Sequence, residues 1–173
     1  FLLILITTSM FNCKEVSKSA GEMDPVELKE DVLKNGNKNS YLILSIYYCD
    51  KKMDNDFLDI SILMYEKYNY TNALSDIYNA YIYKYNPETH FNNGDKAELF
   101  KKVPKKEQEK ALKYLEIGVK KGNYACIESL SEYYLSIGKS EESEKLLKIQ
   151  TELIIEHRKK VNDSLTKIQD IKK

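Results

Sequence analysis

The chain has 173 residues, of which 42% are hydrophobic and 31% are charged, and this length allows one domain with a sizeable core. The 27 basic and 27 acidic residues cancel, so no overall field directs the protein toward nucleic acid. Only three prolines and six glycines interrupt the sequence, which favours long regular elements.

The chain begins with an apolar run, FLLILITTSMF, that is too short for a membrane-spanning helix of about 20 residues. Its length is typical of the hydrophobic region of a secretory signal. Cys13 follows, and then a polar stretch of linker composition. This arrangement resembles a bacterial lipoprotein signal, which implies lipidation of Cys13. We therefore expect a signal-peptide remnant over 1–12 and a lipidated tether over 13–23. A plain secretory signal and a buried N-terminal helix are the alternatives.

A helical domain is predicted over 24–173. Asp24 and Pro25 suit the N-cap and the first position of a helix. Apolar spacing then predicts four helices, which run through 26–33, 41–49, 57–65 and 73–85. The alternating stretch 78–85 also fits a strand, so a strand is the alternative for that part.

An insertion loop is predicted over 86–105, because this stretch contains Pro87, Pro104 and an Asn-Asn-Gly run. Two amphipathic helices follow, joined by a turn at Gly122 and Asn123. Cys49 and Cys126 fall within predicted helices, either as small buried apolar residues or as a disulfide pair in an oxidising compartment.

A long helix is predicted from Ser140 toward the C terminus. The first half is apolar enough to cover the helices before it, through Leu146, Leu147, Leu153 and Ile154. The second half keeps Val161, Leu165 and Ile168 among charged residues. Such a narrow stripe fits a capping helix folded back on the domain, or a weak coiled-coil seam.

The stretch 107–147 places small, apolar and aromatic residues in a regular pattern, at Gly122, Leu130, Ser131, Tyr134, Gly138, Ser143 and Leu147. In this pattern the stretch resembles a tetratricopeptide or Sel1-like repeat. Two weaker copies lie upstream, where Leu44 and Tyr48, and then Ile77 and Tyr81, align with the same Leu and Tyr positions. The first two copies are 33 residues apart, which fits one repeat unit. The second and third are 53 residues apart, which fits one unit plus the predicted insertion.

This resemblance implies an all-α fold in which antiparallel helical hairpins stack as a short α-solenoid. About three degenerate repeats and a long C-terminal capping helix would form it. A plain helical bundle is the alternative.

No pattern in the sequence predicts catalysis, a cofactor or a metal site. His90 and His157 lie outside any metal-binding motif, and the cluster of Asp54, Asp56 and Asp59 lacks the glycine and terminal glutamate of a calcium loop. We therefore expect a binding protein rather than an enzyme.

The repeat resemblance implies recognition of a protein or peptide. The candidate contact residues are Tyr41, Tyr47, Glu132 and Tyr133. Together with the lipoprotein-like start, this predicts an adaptor or scaffold at the bacterial cell envelope, anchored on a periplasmic or outer-membrane surface through Cys13. The alternatives are an immunity-type inhibitor of a toxin, and a glycan- or lipid-binding envelope accessory or enzyme that uses the 86–105 loop.

Overall fold

The computed structural model describes residues 24–89 and 95–171. Within them the chain is all-α and contains no strand, which confirms the all-α part of the expectation and rules out the strand alternative for 78–85. A short 3₁₀ turn spans Pro87–Thr89. The eight α-helices of this part are α1 (Pro25–Asn35), α2 (Lys38–Asp50), α3 (Asp54–Glu66), α4 (Ala73–Tyr85), α5 (Lys96–Phe100), α6 (Lys105–Lys120), α7 (Tyr124–Ser136) and α8 (Ser140–Ile171).

Capping residues set the boundaries of the first helices. The Asp24 carboxylate accepts a hydrogen bond from a backbone amide of α1 at 2.9 Å, and Pro25 opens the helix as predicted. Gly36 ends α1 with a left-handed φ of 63°, which favours glycine. The Asn37 side chain then caps α2, so that helix begins three residues earlier than its apolar pattern predicts.

Helices pack mainly on their neighbours in the chain, and the main departure is at α5. Contacts join α1 to α2, α2 to α3, α3 to α4, α6 to α7 and α7 to α8. The next partner of α4 is α6, because the short α5 lies instead against α4 and α7. Further contacts join α1 to α3 and α4 to α7. The helices would therefore follow one another as simple pairs if α5 were not inserted between α4 and α6.

The core extends from α1 to the first half of α8 and is rich in aromatic rings. Tyr41, Tyr78 and Phe100 are almost completely buried. The Phe100 ring lies 4.6 Å from that of Tyr78 and meets Tyr133 edge-on at 5.3 Å. Most tyrosines pack inside or between helices, as expected, with hydroxyls such as that of Tyr68 bonded at the rim.

Two close contacts between helices require small side chains. A Cβ atom at Gly118 of α6 would lie 2.3 Å from the Sγ and 2.6 Å from the Cβ of Cys126 in α7. Between α7 and α8, the buried hydroxyl oxygens of Ser131 and Ser143 lie 2.8 Å apart. Larger side chains at these positions would force the helices apart.

The segment 86–105 contains more regular structure than the predicted loop. It includes the 3₁₀ turn and α5. Phe100 and Val103 belong to the core, where they are 0% and 2% exposed. The expectation of a loop is therefore wrong for the second half of the segment, because these two apolar side chains anchor it. Residues 90–94 lie outside the described residues.

The C-terminal helix α8 is one unbroken element of 32 residues and does not fold back. Leu146 is buried and Leu153 packs at the edge of the core, whereas every described side chain from 154 to 165 is exposed. The prediction of a folded-back cap is therefore wrong for the second half. Leu147, expected at a large apolar framework position, is 46% exposed because its neighbour Leu146 faces the core instead.

Candidate functional site

Three open grooves lie among α2, α4, α5 and α7. One of about 640 Å³ separates α5 from α7, and one of about 290 Å³ separates α2 from α4. A third, of about 470 Å³, lies between the start of α4 and the α6–α7 turn. Asp76 borders the second and third grooves. Lys96 borders the groove between α5 and α7, and its ammonium group donates at 3.0 Å to the side chain of Asn79, which borders the groove between α2 and α4. The three grooves therefore adjoin.

We call the groove between α5 and α7 the acidic groove, because four carboxylates line it. They are Asp95, Glu98, Glu128 and Glu132. Lys96 lines it as well, so these five side chains sum to a charge of −3 when ionised. Leu135 is 61% exposed and adds an apolar surface. The groove thus offers negative charge beside one apolar contact.

Capping and packing hold α5 as one wall of this groove. The Asp95 carboxylate accepts hydrogen bonds from two backbone amides of α5, at 2.9 and 3.2 Å. Phe100, at the other end of α5, packs into the core. Lys101 forms an ion pair with Glu98 and donates to the Ser136 carbonyl, at the end of α7, at 2.7 Å. These contacts attach α5 directly to α7.

Partial desolvation in the groove and neighbouring carboxylates raise the pKa of Glu132, although its side chain stays open to solvent. The desolvation is the largest cause, the charges of Glu128 and Asp95 add to it, and the charge of Lys96 opposes it. Glu128 also lies four residues before Glu132, a spacing at which like charges destabilise a helix by about 0.2–0.5 kcal/mol. Because negative charge is held here at an energetic cost, a cationic ligand would relieve it.

A network of buried polar groups supports the groove between α2 and α4. The Tyr41 hydroxyl donates to the Asp76 carboxylate at 2.7 Å and lies 2.9 Å from the Ser61 hydroxyl oxygen. Burial raises the pKa of Asp76, and the hydrogen bond from Tyr41 and the charge of Lys96 oppose that rise. Tyr41 thus positions a carboxylate at the groove from inside the fold.

The four candidate contact residues lie in different environments. Glu132 is exposed and lines the acidic groove. Tyr47 is half-buried beside Tyr48 and borders none of the three grooves. Tyr41 is completely buried and Tyr133 is 8% exposed, so neither offers a surface to a partner. The expectation for these two is corrected, because their rings pack on the core side of α2 and α7.

The repeat-framework positions are mostly buried or at turns. Tyr134 is half-buried, and Gly122 and Gly138 have φ of 71° and 78°. The buried positions are Leu44, Tyr48, Ile77, Tyr81, Leu130, Ser131 and Ser143. Burial suits a repeat and a plain bundle alike, so the repeat framework stays a prediction.

Sequence patterns missed most of the acidic groove. A signal existed on α7, where Glu128 precedes Glu132 by one helical turn and so shares its face. No signal connects Asp95 or Glu98 to that face, because tertiary contacts of Phe100 and Lys101 bring α5 against α7.

The remaining candidate groups show no special reactivity. Cys49 and Cys126 are free thiols, and burial raises the pKa of each, to about 11 and about 12. His157 is exposed on α8, while Cys13 and His90 lie outside the described residues. Residues 24–89 and 95–171 contain no cluster of side chains suited to a metal ion. Over the same ranges, no helix combines the length and apolar character needed to cross a membrane.

Over the described residues, the fold and the groove define a broad class, an all-α domain with an acidic groove. No protein-family model, curated protein or solved structure matches the chain.

Proposed function

We propose that this protein binds a basic segment of a partner protein in the acidic groove and acts as an adaptor or scaffold. The observation that carries this proposal is the meeting of four carboxylates with the exposed Leu135 between α5 and α7. Two elements far apart in sequence build the groove, so folding is needed to create it.

The chemistry of the groove favours lysine or arginine side chains. Hydrogen bonds between a cation and a carboxylate are roughly twice as strong as neutral ones. Glu128 and Glu132 lie one helical turn apart, about 6 Å along the axis, and alternate residues of an extended segment lie about 7 Å apart on one face, so two cationic residues at that spacing can engage both. Leu135 lies near the next turn and suits an apolar residue of the same segment. We therefore expect a basic ligand with at least one apolar side chain.

The repeat architecture belongs to this proposal. Three helix pairs fit such units, namely α2 with α3, α4 with α6, and α7 with α8, and α5 is then an insertion. Leu44, Ile77 and Leu130 are buried at corresponding positions in the first helix of each pair, as the alignment requires. In this architecture α2, α4 and α7 line one face, and the three grooves lie along it.

Attachment to the bacterial envelope through a lipidated Cys13 completes the proposal. Acyl chains on a cysteine hold a protein at a membrane surface, because each buried methylene contributes about 0.8 kcal/mol. The sequence around Cys13 supports this step. Labelling of expressing cells with an alkyne fatty acid should mark the wild-type chain and leave a Cys13→Ser variant unlabelled; label on that variant would contradict the anchor.

Crosslinked affinity capture of the full chain from bacterial envelope extracts, with quantitative mass spectrometry, tests the binding site. The double variant Glu128→Gln, Glu132→Gln removes two charges from the groove, and Leu135→Ser removes its apolar contact. The matched control is Glu141→Gln, Glu142→Gln, which removes the same charge from the exposed start of α8.

We expect a partner with a basic segment whose recovery falls in both groove variants and persists in the control. High salt should also reduce its recovery, because the attraction is between charges. Equal recovery with every variant would refute the groove. Recovery of glycan or lipid alone would refute a protein partner and favour the envelope-accessory alternative.

A further inference from the structure

A second apolar stripe runs along α8 and is covered by no element of the described residues. Leu147, Ile154 and Val161 recur every seven residues and are 46%, 38% and 42% exposed, and Leu165, 54% exposed, extends the row. A helix turns 100° per residue, so these side chains share one side of α8. The adjacent Leu146 faces the core, which places the stripe about a quarter turn from the buried face.

The spacing and the length of the stripe fit a helix–helix contact. A coiled coil repeats two apolar positions in every seven residues; the stripe supplies one of them throughout and a second at Leu165, and the sequence continues the first at Ile168. The 32 residues of α8 span about 48 Å, of which the part after Leu153 accounts for about 27 Å. From residue 154 to 165 the helix lies beyond the core with every described side chain exposed, so another helix can reach this part.

Charge along α8 indicates which helix fits there. Residues 140–156 contain five Glu and two Lys, a net charge of −3. Residues 157–171 contain one Arg, three Lys and two Asp, a net charge of +2. A parallel copy would align like charges, whereas a reversed copy aligns the acidic half with the basic half. The formal net charge of the whole chain is zero, so copies do not repel one another overall.

We propose that two copies of this chain associate by antiparallel pairing of their α8 stripes. Symmetric pairing places the same patch of both copies in the interface, so each stripe residue contributes twice to the dimer. This inference is independent of the acidic groove and its ligand.

Sedimentation of the full chain carrying Cys13→Ser tests the association over a range of concentrations. Ile154→Asn alters the stripe, and Ile149→Asn is a matched control, because Ile149 is 39% exposed but about 200° around the helix from Leu147. We expect a monomer–dimer equilibrium whose dissociation constant rises by more than about tenfold with Ile154→Asn. The control should leave it unchanged. Far-UV circular dichroism of both variants checks that they fold.

Disulfide trapping in the same Cys13→Ser chain tests the orientation. A mixture of Leu147→Cys and Leu165→Cys chains should form a mixed disulfide, whereas Leu147→Cys alone should not crosslink to itself. A monomer at every concentration, equal effects of the two asparagine variants, or self-crosslinking of Leu147→Cys would overturn the proposal. Binding of a monomer to lipid vesicles through the α8 stripe would overturn it as well.

Discussion

Replacing Gly118 by alanine sets two opposing effects against each other in α6. Glycine inside a helix costs about 0.8–1.0 kcal/mol relative to alanine, so the substitution should stabilise the protein if space allows. Here the new Cβ would lie 2.3 Å from the Sγ and 2.6 Å from the Cβ of Cys126. Contacts between carbon atoms are optimal at about 3.5–4.0 Å, so both distances are short by about 1 Å or more.

The steric effect should prevail at this position. The Cβ of Cys126 is bonded to its backbone and cannot rotate away, so relief requires movement of α7. Overpacking of this kind costs about 1–3 kcal/mol, and the short distances favour the upper end. After the gain in helix propensity is subtracted, Gly118→Ala should lower the free energy of unfolding by about 2 kcal/mol.

Urea unfolding followed by circular dichroism at 222 nm measures this change, and a double-mutant cycle identifies its cause. Cys126→Gly removes both atoms that crowd Gly118. In that background Gly118→Ala should change sign and stabilise the protein by up to about 1 kcal/mol. A rise in the urea midpoint for Gly118→Ala alone, or no change of sign in the Cys126→Gly background, would refute the reasoning.

Three further predictions concern α7 and the buried polar groups. Leu130→Ala should lower the free energy of unfolding by about 2–5 kcal/mol, because Leu130 is 3% exposed, whereas Leu135→Ala on the same helix should cost less than about 1 kcal/mol in urea unfolding. Burial raises the pKa of Asp76 above its ordinary value of 3.8, so the protonated group is favoured in the folded state. Its contribution to the free energy of unfolding is therefore complete in acid and decreases as the pH rises past that value. Asp76→Asn keeps the acceptor for Tyr41, so its stability relative to wild type should be greatest at neutral pH and should fade toward pH 3; a gap that widens in acid would contradict the sign. The buried Cys126 thiol should react with a thiol reagent at pH 8 only at the rate of unfolding, and fast labelling of the native protein would show that it is accessible.

Local patterns predicted the helices well because their signals lie within a few residues. Asp24, Pro25 and Gly36 fixed α1 through capping and backbone conformation alone. The long α8 followed in the same way from its uninterrupted composition. Boundaries shifted at α2, where the polar cap Asn37 precedes the first apolar residue, and at α3, which begins at Asp54 rather than at Phe57.

Predictions failed where distant contacts decide the outcome. Tyrosine is a residue type common at binding surfaces, yet the rings of Tyr41 and Tyr133 are buried in the packing between helices. The 86–105 segment contains turn-forming residues, but Phe100 finds aromatic partners on α4 and α7 and so holds a short helix there. Leu146 and Leu147 are indistinguishable by type, and only the orientation of α8 on α7 decides which is buried.

The acidic groove can open without unfolding of the whole domain, because one of its walls is the short helix α5. A five-residue helix is too short to persist without tertiary contacts, and this one depends chiefly on Phe100, the Asp95 cap and the bond from Lys101 to Ser136. Opening of α5 alone would therefore remove one wall while the remaining helices stay folded. On warming, ligand binding should therefore be lost before the helical circular dichroism signal. Bound ligand should also slow the exchange of the α5 amide hydrogens with deuterium relative to the free protein.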